Sequence, residues 1–231
     1  MNEILFEFEN IAGGYGGSTV VRGVSGRLAA GEVLGITGRN GVGKSTLLKL
    51  LFGFLALQSG SVRFAGNRID GLSPSERNRS GISFCPQERI VFDDLSVWEN
   101  LSLMHRDRKA EDLSGYFDHF PRLAERIQQR AGTLSGGERK MLSFVRTMGE
   151  EQPLILMDEP TEGVQQENID HMAQLMAEAK SAGRACMVVE QNLNFIHEVA
   201  DYLIVLDQGR SVLEGPRGEL SNDQIISHLG V

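Results

Sequence analysis

Apolar and polar positions along the chain fall into short apolar runs separated by stretches of helical spacing. Ile4-Leu5-Phe6-Glu7-Phe8-Glu9-Asn10 alternates with period two and predicts a strand with Ile4, Phe6 and Phe8 on one face. A second strand is expected from Val20 to Leu28, and Ala30-Gly31-Glu32 then turns into the continuous apolar run Val33-Leu34-Gly35-Ile36-Thr37. Thr46 to Phe52 has helical spacing, with Gly53 as its stop. Ser61–Phe64 and Gly81–Cys85 read as strands flanking a short helix opened by Ser73-Pro74-Ser75-Glu76, a capping residue followed by proline and a returning glutamate. From about Glu88 to Met148 the strand signal disappears. Capping boxes at Ser96-Val97-Trp98-Glu99 and Ser135-Gly136-Gly137-Glu138, with helical stretches at Leu113–Phe120 and Pro121–Ile127, predict an all-helical insertion. Its last helix places Met141, Leu142, Val145 and Met148 on an apolar face. Strands return at Leu154–Met157, Cys186–Val189 and Leu203–Leu206, alternating with helices at Gln166–Ala182 and Asn192–Val199. The tail from Pro216 to Val231 reads as two short helices.

Continuous apolar strands alternating with helices predict an α/β fold with a mostly parallel sheet covered on both faces. The two leading strands predict an N-terminal antiparallel β subdomain beside it. Composition agrees with this: 231 residues with 41% apolar and 23% charged suffice for one domain over 1–231, with a helical subdomain inserted at about 88–148. A net charge of −8 argues against a nucleic-acid partner, which would need a basic face. Cys85 and Cys186 lie far apart without any C-x-x-C, which predicts two reduced, buried thiols. No stretch approaches the roughly 18 consecutive apolar residues of a membrane span. Met1-Asn2-Glu3-Ile4 lacks a secretory leader pattern, so the cytoplasm is the expected location.

Between the third strand and its helix stands Gly38-Arg39-Asn40-Gly41-Val42-Gly43-Lys44-Ser45-Thr46, which fits G-x-x-x-x-G-K-[ST]. Strand, glycine loop and helix together aim backbone N–H groups and a helix N-terminus at one anion. Lys44 would place a charge on the β/γ-phosphates of a nucleoside triphosphate, and the Ser45 hydroxyl would ligate Mg²⁺. Leu154-Ile155-Leu156-Met157-Asp158-Glu159 delivers two carboxylates at a strand tip, where open α/β sheets bind their ligands. Asp158 suits Mg²⁺, held through water beside Ser45, and Glu159 suits deprotonating or orienting an attacking water. Gly136 and Gly137 weaken the first turn of their helix by about 1 kcal/mol each, a cost explained by close approach of an anion. A second anion site beside a single glycine loop makes sense if it serves another subunit's nucleotide.

Leu134-Ser135-Gly136-Gly137-Glu138 resembles the signature motif of ABC-type ATPases, and nearly the whole chain follows that family's order. Tyr15, alone among Gly13, Gly14, Gly16 and Gly17, resembles the aromatic that stacks on adenine. Gln87, after Pro86, resembles the Q-loop glutamine that also reaches the metal. The resemblance implies a P-loop NTPase (RecA-like) core with a helical subdomain, binding ATP and Mg²⁺ in a head-to-tail dimer. Ser135, Gly136 and Gly137 of one subunit would close over the other's glycine loop. Two departures stand out: Glu162-Gly163-Val164-Gln165 replaces the usual Ser-Ala-Leu-Asp, and Gln191 stands where a switch histidine is usual. Gln191 can donate to a γ-phosphate but cannot carry an imidazole's proton. His197, inside the next helix, is expected to be a surface residue. Pro160-Thr161-Glu162-Gly163 with Glu190-Gln191-Asn192 is similar to the second ATPase subunit of importers for branched-chain amino acids, urea and short amides. That resemblance implies a sister ATPase, two transmembrane permeases and, indirectly, a periplasmic binding protein, with the chain peripheral on the inner face of the cell membrane. The rival readings are a soluble ABC ATPase of assembly or repair, and a nucleotide-gated subunit that hydrolyses slowly.

Overall fold

A computed structural model describes residues 3–88, 90–105 and 107–229; the first two and last two positions of the chain lie outside it. The chain opens with β1 (Ile4–Gly13) and β2 (Val21–Ala29), then β3 (Val33–Gly38) and α1 (Lys44–Phe52). It continues with β4 (Ser59–Phe64), β5 (Asn67–Arg68), α2 (Pro74–Ser80) and β6 (Ile82–Cys85). The helices α3 (Val97–Ser102), α4 (Ser114–His119), α5 (Pro121–Glu125) and α6 (Gly136–Met148) follow. Then β7 (Leu154–Asp158), α7 (Gln166–Ser181), β8 (Ala185–Val189), α8 (Leu193–Val199), β9 (Tyr202–Asp207), β10 (Arg210–Pro216) and α9 (Asn222–Leu229) complete the chain.

A four-stranded sheet runs β2-β1-β4-β5, with antiparallel pairing throughout, and a six-stranded sheet runs β10-β9-β3-β8-β7-β6. In the larger sheet β9, β3, β8, β7 and β6 are parallel, and only the edge strand β10 is antiparallel. Every residue of β3, β7 and β8 is buried, as apolar runs covered on both faces require. The period of two reappears in which side each residue serves. Leu154 and Leu156 pack towards α1 and the smaller sheet, whereas Ile155 and Met157 pack towards α6, α7 and α8. The helices between β6 and β7 join the second of these layers through Leu101, Leu113, Phe120 and Leu123. Cys85 and Cys186 are free and buried, as their spacing predicts.

Three expectations change. Phe6 and Phe8 face the core but Ile4 is 40% exposed, because the β1–β2 register shifts between Ile4 and Phe6 and breaks the alternation. β10 carries no strong apolar alternation, and it forms because β9 offers an open edge. The stretch at Leu113–Phe120 begins earlier, as a 3₁₀ turn over Ala110–Leu113 that runs into α4, and α5 stops at Glu125.

The end of α1 is held by a residue with no sequence signal. Arg77 of α2 is 1% exposed and donates to the carbonyls of Leu50 (3.3 Å), Leu51 (2.5 Å), Leu72 (3.1 Å) and Asp70 (3.0 Å). A guanidinium suits the orphan carbonyls and negative pole of a helix C-terminus, and its fork reaches several at once. Arg77→Met should therefore cost on the order of 3 kcal/mol in urea unfolding, because buried carbonyls lose their donors. An unchanged unfolding midpoint would mean that Arg77 does not hold α1.

Candidate functional site

The strand order determines what can meet. With β3, β8, β7 and β6 adjacent and parallel, their C-terminal ends deliver Gly38, Glu190, Asp158 and Gln87 to one edge of the sheet. After β3 the chain turns through glycines, and Gly43 caps α1 with φ 108°, a left-handed conformation that disfavours any side chain. Val42 is buried against the core, so its contribution to a ligand is its backbone N–H alone. Lys44, 4% exposed, folds back over the loop and donates to the carbonyls of Gly38 (2.8 Å) and Arg39 (3.1 Å). Burial holds its ammonium below the ordinary lysine range, while Glu159 opposes that shift. Asn40, Gly41, Gly43, Lys44, Ser45, Thr46, Gln87 and Glu159 line a hollow of about 180 Å³ above the loop.

Asp158 and Glu159 are consecutive, yet both meet side chains at the start of α1, Asp158 at Ser45 and Glu159 at Lys44. In an extended strand their side chains would point to opposite faces. Glu159 takes φ 46°, a left-handed conformation rare for a residue with a side chain, and that turn breaks the alternation. Asp158 accepts from the Ser45 hydroxyl at 2.8 Å. Two hard oxygen donors side by side at the start of α1 fit a Mg²⁺ ion. Glu159, 5% exposed, accepts at Oε1 from Gln191 Nε2 (2.8 Å), with Lys44 Nζ at 3.6 Å, and at Oε2 from Gln87 Nε2 (2.8 Å). Gln87 also donates to Glu162 at 3.2 Å. The glycine loop, Gln87, Asp158, Glu159 and Gln191 thus form one cluster.

Ser135, Gly136 and Gly137 do not line that hollow. Ser135 caps α6 reciprocally with Glu138, which is anchored by Arg126 at 3.2 Å. Gly136 lines a separate hollow of about 450 Å³ with Gln87, Lys140, Glu162 and Gly163. A Cβ on Gly136 would meet nothing within 4 Å, so packing within this chain does not demand a glycine there. Tyr15 is 48% exposed, and its hydroxyl accepts from Lys49 of α1 at 3.5 Å, outside the lining of the glycine-loop hollow. His197 is half-buried on α8, its Nδ1 without a hydrogen-bond partner among the described residues.

Two side chains of the cluster were given no role by the motif reading. Lys140, one turn into α6, donates to the carbonyls of Glu159 (3.0 Å) and Gln87 (3.3 Å) and lies 3.8 Å from Glu162. Nothing in its spacing marks it. Glu190, 2% exposed, accepts from Thr161 and from the backbone beyond β8. The available signal was an acid at the tip of a third buried strand.

A glycine loop between strand and helix, a lysine over it, and a hydroxyl paired with a strand-tip aspartate define a P-loop nucleotide triphosphatase. Residues 21–162 match the family profile described as ABC transporter, and the chain belongs to that family as an ABC-type ATPase that binds ATP. It is 36% identical to the high-affinity branched-chain amino acid transport ATP-binding protein BraG of Pseudomonas aeruginosa, over 90% of this chain and 91% of that one. It is 33% identical to the probable branched-chain amino acid transport ATP-binding protein LivF of Archaeoglobus fulgidus, over 82% of each. Against the lipopolysaccharide export system ATP-binding protein LptB of Escherichia coli identity is 28%, over 96% and 94%. The ADP conformation of an ATP-binding cassette of an ABC transporter superposes with a TM-score of 0.77 at 27% identity, covering 99% of this chain and 96% of that one. ABC ATPase subunits work with transmembrane permeases, and no helix among the described residues is long and apolar enough to cross a membrane.

Burial, reinforced by Glu159, pushes the Asp158 carboxyl up to about 6. A carboxyl raised in the folded state favours folding while protonated, and that contribution is lost as pH rises from 3.8 through about 6. Asp158→Asn keeps an acceptor for Ser45 without the charge. In metal-free protein its stability should equal wild type near pH 4 and exceed it above pH 6 by on the order of 2–3 kcal/mol. Thermal melts of both proteins across that range check this, and a pH-independent difference would rule out the titration of Asp158.

Proposed function

We propose that this chain is the Mg·ATP-hydrolysing subunit of an importer for branched-chain amino acids or, within the same class, urea and short amides. The observation that carries the reading is the convergence of Lys44, Gln87 and Gln191 on Glu159 above the glycine loop. Backbone N–H groups of Gly38 to Thr46 cradle the phosphates, Lys44 adds its charge at the β/γ oxygens, and Tyr15 stacks on adenine. Ser45, Asp158 and Gln87 would hold Mg²⁺, which when bound neutralises phosphate charge. Glu159 takes the proton of the attacking water as its oxygen bonds to the γ-phosphorus and ADP leaves. Gln191 donates to the γ-phosphate oxygens. Gln87 and Gln191 both donate to Glu159, and a γ-phosphate bound above the loop would offer them an alternative acceptor.

The open space beside Gly136 supports a composite site, in which Ser135, Gly136 and Gly137 of a second ATPase subunit, sister or self, complete each hollow head to tail. The helices at about 88–148 act as the inserted subdomain that passes this closure to two permeases, fed by a periplasmic binding protein, from the cytoplasmic face of the membrane. Importers are favoured because BraG and LivF, named for branched-chain amino acid transport, are more similar than LptB, named for export.

With its permeases reconstituted, Glu159→Gln should lower ATP turnover at least about 100-fold while preserving ATP binding, and Lys44→Ala should weaken binding itself. Unaltered turnover in Glu159→Gln would sink the catalytic assignment. Vesicles carrying the complex should accumulate leucine on ATP addition, and ATP-driven lipid extraction instead would place the chain among exporters.

A further inference from the structure

Glu190 carries a hydrogen-bond load that neither the glycine loop nor the strand-tip acids account for. It directly follows β8, is 2% exposed, and divides its oxygens between two loops. Oε1 accepts from the Thr161 N–H at 2.8 Å and the Thr161 hydroxyl at 2.5 Å. Oε2 accepts from the N–H of Gln191 at 2.9 Å and of Asn192 at 3.2 Å. Thr161 is itself 4% exposed and lies two residues beyond Glu159. The Gln191 side chain returns to Glu159 at 2.8 Å. The contacts close a ring: Glu190 to the loop after β7, that loop to Glu159, Glu159 to Gln191, and Gln191 to Glu190.

Only a carboxylate satisfies this arrangement. All four partners are donors, two at each oxygen, and a glutamine would offer one oxygen and confront one of the loops with its own N–H₂ group. Among the described residues Glu190 has no ion-pair partner within 4 Å, so its buried charge rests on these donors and the more distant field of Lys44. Such a residue would be hard to retain for packing alone, since an apolar side chain fills space without the desolvation cost. Glu190 is also absent from the lining of the glycine-loop hollow, so it acts through its neighbours.

We propose that Glu190 is a positioning residue for ATP hydrolysis, clamping the loop after β7 to the loop after β8 so that Gln191 and Glu159 stay opposed and move as one unit. This rests on the roles proposed above for Glu159 and Gln191. Without the clamp, Gln191 swings free while Lys44 and the glycine loop keep their shape, so turnover falls and nucleotide affinity does not.

The test compares steady-state ATPase activity and affinity for a non-hydrolysable ATP analogue in the assembled complex. Glu190→Gln should lower kcat about 10–100-fold with KM and analogue affinity within about threefold of wild type. Thr161→Val, which removes one donor of the four, should lower kcat about three- to fivefold and keeps the question open to measurement if Glu190→Gln folds poorly. On a Gln191→Ala background Glu190→Gln should change kcat less than about twofold, because the group it positions is gone. Equal losses in kcat and analogue affinity, or a full Glu190→Gln effect on the Gln191→Ala background, would overturn the clamp. Wild-type turnover insensitive to Glu159→Gln overturns the site assignment and the clamp with it. Turnover that depends on Glu159 with fully additive Glu190 and Gln191 effects overturns the clamp alone.

Discussion

Lys44 places one buried ammonium among three buried carboxylates, those of Asp158, Glu159 and Glu190, all within its electrostatic reach. Charges taken out of water are costly unless opposed or hydrogen-bonded, and here each is treated differently. Lys44 is opposed by Glu159 and by loop carbonyls, Asp158 accepts from Ser45 while burial pushes its carboxyl up to about 6, and Glu190 is satisfied by donors from two loops. The surplus of carboxylate makes this edge of the sheet poor at holding phosphate alone and well suited to phosphate with a divalent cation.

That balance depends on the sheet. Because β3, β8, β7 and β6 are neighbours and parallel, four chain segments far apart in sequence end at one edge. A slip of one residue in any of these strands would turn its tip residue to the other face and empty the cluster. The burial of Leu154, Leu156, Ile155 and Met157 on two different sides holds β7 in register, so the core positions the chemistry as well as stabilising the fold. Lys140 then connects the edge to α6, whose N-terminus is proposed to serve a different nucleotide, through carbonyls of both Glu159 and Gln87. The proposed composite sites are therefore in mechanical contact within one chain.

Much of this was legible from residue order. The apolar runs identified every strand of the parallel sheet, because strands buried on both faces leave an uninterrupted signal, and the capping boxes at Ser96 and Ser135 appear where Ser-x-x-Glu predicts them. The illegible parts were those decided by neighbours distant in sequence. β10 exists through pairing with β9, and Ile4 is turned outward by a bulge against β2. Arg77 gave no sign that it would cap α1, since its partners on α1 lie more than twenty residues away, and an arginine in a short polar helix reads as solvent-facing.

By itself the sequence determined the α/β class, the glycine loop with Lys44 and Ser45, and the acids after β7, because these depend on local periodicity and on chemistry that needs fixed spacing. Only the tertiary structure decided that Asp158 and Glu159 share one side of their strand, which follows from the left-handed turn at Glu159. It alone brought Gln87 and Gln191 onto opposite oxygens of the same carboxylate, and gave Glu190 four donors from two loops. Hydrogen bonds act over about 3 Å, and no pattern along the chain specifies which distant groups will come that close.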